Sequence, residues 1–178
     1  MDHFDRNTVT ELLTELGTRL AAHHVAGRIY VVGGAVMALE WDARRSTRDI
    51  DALLDPPTTI KDVAAQLAAE RALPPEWLSD AVTLFLPPGP PPTGRVLGRF
   101  GALDIVIAPA EHLLAMKMAA FRHSDLSDLR LLIHHLGLTN ADAIADVCES
   151  VYGPDGVVLP PRVDLLWQAG VLLDPPRP

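Results

Sequence analysis

The sequence predicts a mixed α/β fold: a short mixed sheet flanked by helices, followed by a helical C-terminal part. Three observations predict it. Short apolar, β-prone runs alternate with helical periodicity over residues 1–108. A Gly-Gly turn joins one such run to a helix. Beyond Pro109 only helical spacing recurs. At 178 residues, with 48% hydrophobic and 21% charged residues, the chain fits one domain with a sizeable core. That domain is divided here into a sheet-bearing core, residues 1–108, and a helical part, residues 109–178, expected to complete a cleft.

The elements follow in order. Thr8-Val9-Thr10-Glu11 reads as a capping box ahead of Leu12, Leu13, Leu16 and Leu20 at helical spacing. Residues 28–32 form a short buried strand ending at Gly33-Gly34, and residues 35–41 continue as a helix whose N-terminus faces that turn. Residues 49–54 are the next strand, closed by Asp55-Pro56-Pro57. Thr58 or Thr59 then caps a helix ending before Pro74. Residues 82–86 are apolar and β-prone. The proline-rich run 87–92 reads as a stiff surface loop leading to strands at 96–100 and 102–107. Pro109 opens a helix through about His123. Helices at 125–136, 141–151 (capped by Asn140) and 162–169 follow, with a frayed tail at 175–178.

Composition narrows the function. A net charge of −8 argues against broad, nonspecific binding of nucleic acid. Arg44, Arg45 and Arg48, Arg95 and Arg99, and Lys117 with Arg122 nevertheless offer local anion sites. No apolar run approaches a membrane span and the N-terminus has no secretory pattern, so a cytoplasmic, membrane-free location is expected. The lone Cys148 excludes a disulfide framework and reads as a small core residue. The adjacent pairs His23-His24 and His134-His135 do not share a helical face, and no acidic partner recurs at metal-ligand spacing. Ser46, Ser79 and Ser124 lack the context of a hydrolase nucleophile.

The chemistry concentrates in Gly33-Gly34 and Thr47-Arg48-Asp49-Ile50-Asp51. At i and i+2 on a strand, Asp49 and Asp51 point to one face, with Cα atoms roughly 6–7 Å apart. Such a pair can hold a divalent cation, and a glycine turn opening a helix offers N–H groups to phosphate. Asp104 lies in the apolar run Leu103-Asp104-Ile105-Val106-Ile107. There it either pairs with an arginine such as Arg48 or Arg99, or joins Asp49 and Asp51 in a metal-binding triad. Lys117 lies on a largely apolar helix, either snorkelling to water or serving as a cation for phosphate.

These motifs, with Lys117 in Leu113–Arg122 and the Asp125-x-x-Asp128 step after it, resemble the DNA polymerase β-like nucleotidyltransferases. Within them the chain resembles the AbiEii and MenT-type toxins of bacterial toxin–antitoxin systems. The resemblance runs from about Ile29 to Gly137, and Gly33-Gly34 departs from a more usual Gly-Ser. It implies the polymerase β-like fold and transfer of a nucleoside monophosphate from a nucleoside triphosphate, with release of pyrophosphate. The implied metal is Mg²⁺ or Mn²⁺ on Asp49, Asp51 and Asp104. Gly33, Gly34, Arg48 and Lys117 would bind the nucleotide. Catalytic roles fall to Asp49, Asp51, Asp104, Lys117 and Asp128, with the base either Asp104 or Asp128. The implied acceptor is RNA, the 3′ end of tRNA, with an antitoxin protein as partner. Phosphorylation of Thr47 by that partner is a further expectation. The alternatives are modification of a small-molecule or protein hydroxyl, and a non-catalytic binding member of the fold.

Overall fold

The computed structural model describes residues 3–41, 46–87, 89, 94–153 and 156–174. Arg44, Arg45, most of the proline-rich loop and the tail at 175–178 lie outside the described residues. The fold is mixed α/β, and the chain divides into two compact units: residues 1–84 with 92–108, and residues 85–91 with 109–178.

The first unit holds a five-stranded mixed sheet. Its strands are β1 (Gly27–Val31), β2 (Ile50–Asp55), β3 (Leu78–Ser79), β4 (Arg95–Phe100) and β5 (Leu103–Ile107), in spatial order β3-β2-β1-β5-β4. β1 runs antiparallel to β2 and parallel to β5. Two helices, α1 (Arg6–Ala22) and α3 (Pro57–Arg71), pack on one sheet face. There Ile29, Val31, Ile50, Ala52, Leu103 and Ile105 are fully buried. Gly17 lets α1 approach closely, since a Cβ there would lie 1.8 Å from the Phe100 carbonyl oxygen. A third helix, α2 (Gly33–Glu40), leaves β1 directly through the glycine turn and lies against β2.

Alternation along the strands places Arg28, Asp55, Asp104 and Arg99 on the opposite face. The register sets them side by side: Arg28 opposite both Asp55 and Asp104, and Arg99 opposite Asp104. Charges thus alternate in register across four strands, and of the opposed pairs Arg99 and Asp104 approach to 3.5 Å.

The second unit is helical: α4 (Ala110–Ala120), α5 (Leu126–His135), α6 (Ala141–Tyr152) and α7 (Arg162–Leu173). Leu113, Leu114, Met118, Leu129, Leu132, Ile144, Cys148, Leu165 and Ala169 are buried within it. The Tyr152 hydroxyl donates to the Phe85 carbonyl (2.8 Å), tying Phe85 to this unit.

Several local expectations are corrected. The cap of α1 is Asp5, not Thr8: its Oδ1 accepts from both the Thr8 N–H and the Thr8 hydroxyl, each at 2.8 Å. α2 starts at the glycines rather than at Ala35, and α3 opens on Pro57, with no side-chain cap from Thr58 or Thr59. The β-prone run at 82–86 is instead a 3₁₀ turn, Ala81–Phe85. The Asp80 carbonyl accepts from the Thr83 N–H, and Ser79 Oγ accepts from the Ala81 N–H; these local bonds outcompete a ladder partner. α4 ends at Ala120, because Phe121 adopts a left-handed conformation (φ 39°), and α7 runs past Ala169 to Leu173.

Candidate functional site

The site is built from the β1–α2 turn and the approach to β2. Gly33 has φ +66°, a conformation natural to glycine, and a Cβ there would lie 3.1 Å from Asp51 Oδ2. The Asp51 carboxylate therefore sits against the turn that opens α2. Gly34 is required by crowding: a Cβ would lie 2.7 Å from Thr47 Oγ1. Thr47 thus occupies the space that a Gly-Ser turn would give to the serine side chain.

Asp51 is the second residue of β2, half-buried, while Asp49 stands one residue before the strand, in a bend. Three contacts hold that bend. Phe4 and Thr47 form a two-way backbone bridge, Phe4 N–H to Thr47 O at 2.6 Å and Thr47 N–H to Phe4 O at 2.9 Å. The Thr47 hydroxyl donates to the Asp49 carbonyl (2.9 Å), and the Ile50 N–H donates to the Trp77 carbonyl (2.8 Å). Phe4 and Trp77 are themselves fully buried, and the Trp77 indole donates to the Ala64 carbonyl at 3.0 Å. Sequence reasoning missed both supports, because each joins the site only through a long-range backbone pairing.

Asp104 does not join the aspartate pair. β1 separates β5 from β2, and Asp104 lies level with Arg28 and Asp55. Asp51 accepts the Val32 N–H through its carbonyl, at the other end of β1. Four residues of strand and two strand spacings separate the carboxylates, roughly 13 Å along and 10 Å across the sheet. Asp104 instead faces Arg99, Nε to Oδ1 at 3.5 Å, so the expected convergence of Asp104 with Asp49 and Asp51 on one metal does not form. Among the described residues no group of three or more His, Cys, Asp or Glu side chains gathers at one place. Two carboxylates still fit Mg²⁺, which usually keeps several waters and takes phosphate oxygens beside one or two protein ligands.

Thr47 is 8% exposed, with its hydroxyl engaged. That burial and that bond give no support to Thr47 as a phosphorylation switch in the folded chain. Arg48 is exposed in the bend. Arg95 pairs with Glu40 and Arg99 with Asp104, so neither stands ready for an incoming anion.

A separate cluster lies within the helical unit. Lys117 of α4 is 8% exposed, its ammonium 2.6 Å from Asp125 Oδ1 and 2.9 Å from Asp128 Oδ2. This is not a snorkelling lysine. Nor does Asp125 cap α5, since its carboxyl accepts from Lys117 and makes no capping bond to backbone. The Asp-x-x-Asp spacing puts both carboxyls on one face as the chain enters α5, where one buried ammonium serves both. Asp125 was legible from that spacing, although capping explains it equally well in sequence alone.

No family model matches this chain, and neither a curated protein nor a solved structure matches it.

Proposed function

We propose that the protein is a nucleotidyltransferase that moves a nucleoside monophosphate from a nucleoside triphosphate to an acceptor hydroxyl. The observation carrying this reading is the junction of Asp51 with the Gly33-Gly34 turn: a carboxylate able to take a cation lies beside backbone N–H groups able to take phosphate. Asp49 and Asp51 would hold Mg²⁺, which when bound neutralises charge on the triphosphate. The glycine turn binds phosphate oxygens, and the Phe4, Thr47 and Trp77 contacts keep the aspartate segment in place. The acceptor oxygen forms its bond to the α-phosphorus as the bond to the bridging oxygen of pyrophosphate breaks. The acceptor proton passes to a carboxylate.

Within the helical unit the motif resemblance names Asp128 for the base, and Lys117 holds it together with Asp125. Asp104 is no longer assigned to the reaction, since its register and Arg99 account for it. The resemblance of the motifs favours RNA, the 3′ end of tRNA, as acceptor, growth arrest as outcome, and an antitoxin as partner. The decisive assay supplies triphosphates labelled at the α-phosphate with total RNA, with protein, and with small hydroxyl acceptors. Label entering RNA supports the reading, label entering another acceptor class replaces the RNA assignment, and no transfer to any acceptor overturns the enzyme.

A further inference from the structure

The short strand β3 adds a hydroxyl to the aspartate site. The Ile50 N–H donates to the Trp77 carbonyl, and the register then sets Leu78 beside Ile50 and Ser79 beside Asp51. Partners in a parallel ladder point their side chains to the same face. Burial agrees: Ile50 and Leu78 are buried together on the face that carries α1 and α3, while Asp51 and Ser79 are both half-buried on the other. β2 stands between β1 and β3. The Gly33 turn at the end of β1, Asp51 and Ser79 therefore form one row, roughly 10 Å across two strand spacings.

Two hydroxyls border the aspartate segment, and they differ in what their protons do. The Thr47 hydroxyl donates to the Asp49 carbonyl at 2.9 Å, so its proton is engaged. Ser79 Oγ only accepts, from the Ala81 N–H at 3.2 Å, and its O–H donates to no described residue. The next carboxylate along the chain, Asp80, is neutralised by Lys61 at 2.5 Å and adds little repulsion toward an anion. We infer that Ser79 binds the nucleotide: its O–H donates to a non-bridging phosphate oxygen of a triphosphate whose Mg²⁺ rests on Asp51, at the end of the row opposite the glycine turn. The inference rests on the nucleotidyltransferase reading and gives it a side-chain donor for the phosphates, which Arg95 and Arg99, each paired to a carboxylate, do not supply. A hydroxyl makes a short, strong hydrogen bond to a charged oxygen. Being neutral, it does so without competing with the cation for the aspartates, as an arginine there would.

Calorimetric titration of the full chain with the α,β-methylene analogues of ATP, CTP, GTP and UTP, each with Mg²⁺, tests this without any transfer step. For the analogue that binds the unmodified chain most tightly, Ser79→Ala should raise the dissociation constant at least about tenfold, while Ser79→Thr, which keeps the hydroxyl, should hold it within about threefold. Thr83→Ala separates the hydroxyl from the turn that follows it. It removes the 2.6 Å bond from the Thr83 hydroxyl to the Asp80 carbonyl and leaves Ser79 in place, so its affinity should match that of the unmodified chain. Circular dichroism should be unchanged in all three variants. Equal affinity in Ser79→Ala and the unmodified chain overturns this inference alone, as does an equal loss in Thr83→Ala and Ser79→Ala. Failure of the unmodified chain to bind any analogue overturns the nucleotide reading together with it.

Discussion

Two lysines illustrate how little a charge says until its surroundings are known. Lys61 meets Asp80 at 2.5 Å, with side chains 50% and 32% exposed, whereas Lys117 lies between two carboxyls with all three groups largely buried. Exposed pairs contribute about 0–1 kcal/mol. Removing one member of a buried pair costs about 3–5 kcal/mol, because the partner charge stays behind. Lys117→Met should therefore lower unfolding free energy by several kcal/mol and Lys61→Met by less than about 1 kcal/mol, read from urea midpoints. Gly34 makes the complementary point about space. Gly34→Ala should cost about 1–3 kcal/mol by pushing Thr47 away, and should lower activity through the Asp49 carbonyl that Thr47 holds. Gly34→Ala combined with Thr47→Ser would not recover the loss, since serine keeps the colliding oxygen.

At the scale of elements, the sheet decides which aspartates work together. The sequence carried the short apolar runs of β1, β2 and β5 and the glycine turn, so these elements were legible within a residue or two. Register was not. Whether Asp104 meets Asp51 depends on which strand stands between them, and no pattern within a single strand encodes its neighbours. Local chemistry misled at Ala81–Phe85, where β-branched and apolar residues gave way to turn bonds from Ser79 and Asp80. The isolated Phe4–Thr47 bridge gives a prediction at this scale. Phe4→Ala removes a fully buried ring and should destabilise the protein by about 3–5 kcal/mol. At temperatures where the variant is still folded, transfer activity should fall further than that of Asn140→Ala. The latter removes the cap of α6, the 2.8 Å bond to the Ala143 N–H, at a cost near 1 kcal/mol.

For the molecule as a whole, each compact unit carries residues that the motif resemblance singles out: Asp49 and Asp51 in the sheet-bearing unit, Lys117 and Asp128 in the helical one. No helix among the described residues is long and apolar enough to cross a membrane. Cys148 lies fully buried in the helical unit, its thiol pushed up to about 12 by burial, then by the nearby Glu149 charge. The folded chain should therefore resist thiol reagents at pH 8 and react only on unfolding, which makes alkylation a gauge of the integrity of that unit.

Nucleotide transfer is tested most directly by following the two ends of the triphosphate separately. Nucleoside triphosphate labelled at the α- or the γ-phosphate is supplied with Mg²⁺ and total RNA to the unmodified chain, to Asp51→Asn and to Asp128→Asn. The α-label should enter RNA, the γ-label should leave as pyrophosphate, and either substitution should lower transfer at least a hundredfold without unfolding the protein. Transfer of the γ-label, or full activity in Asp51→Asn, would contradict it.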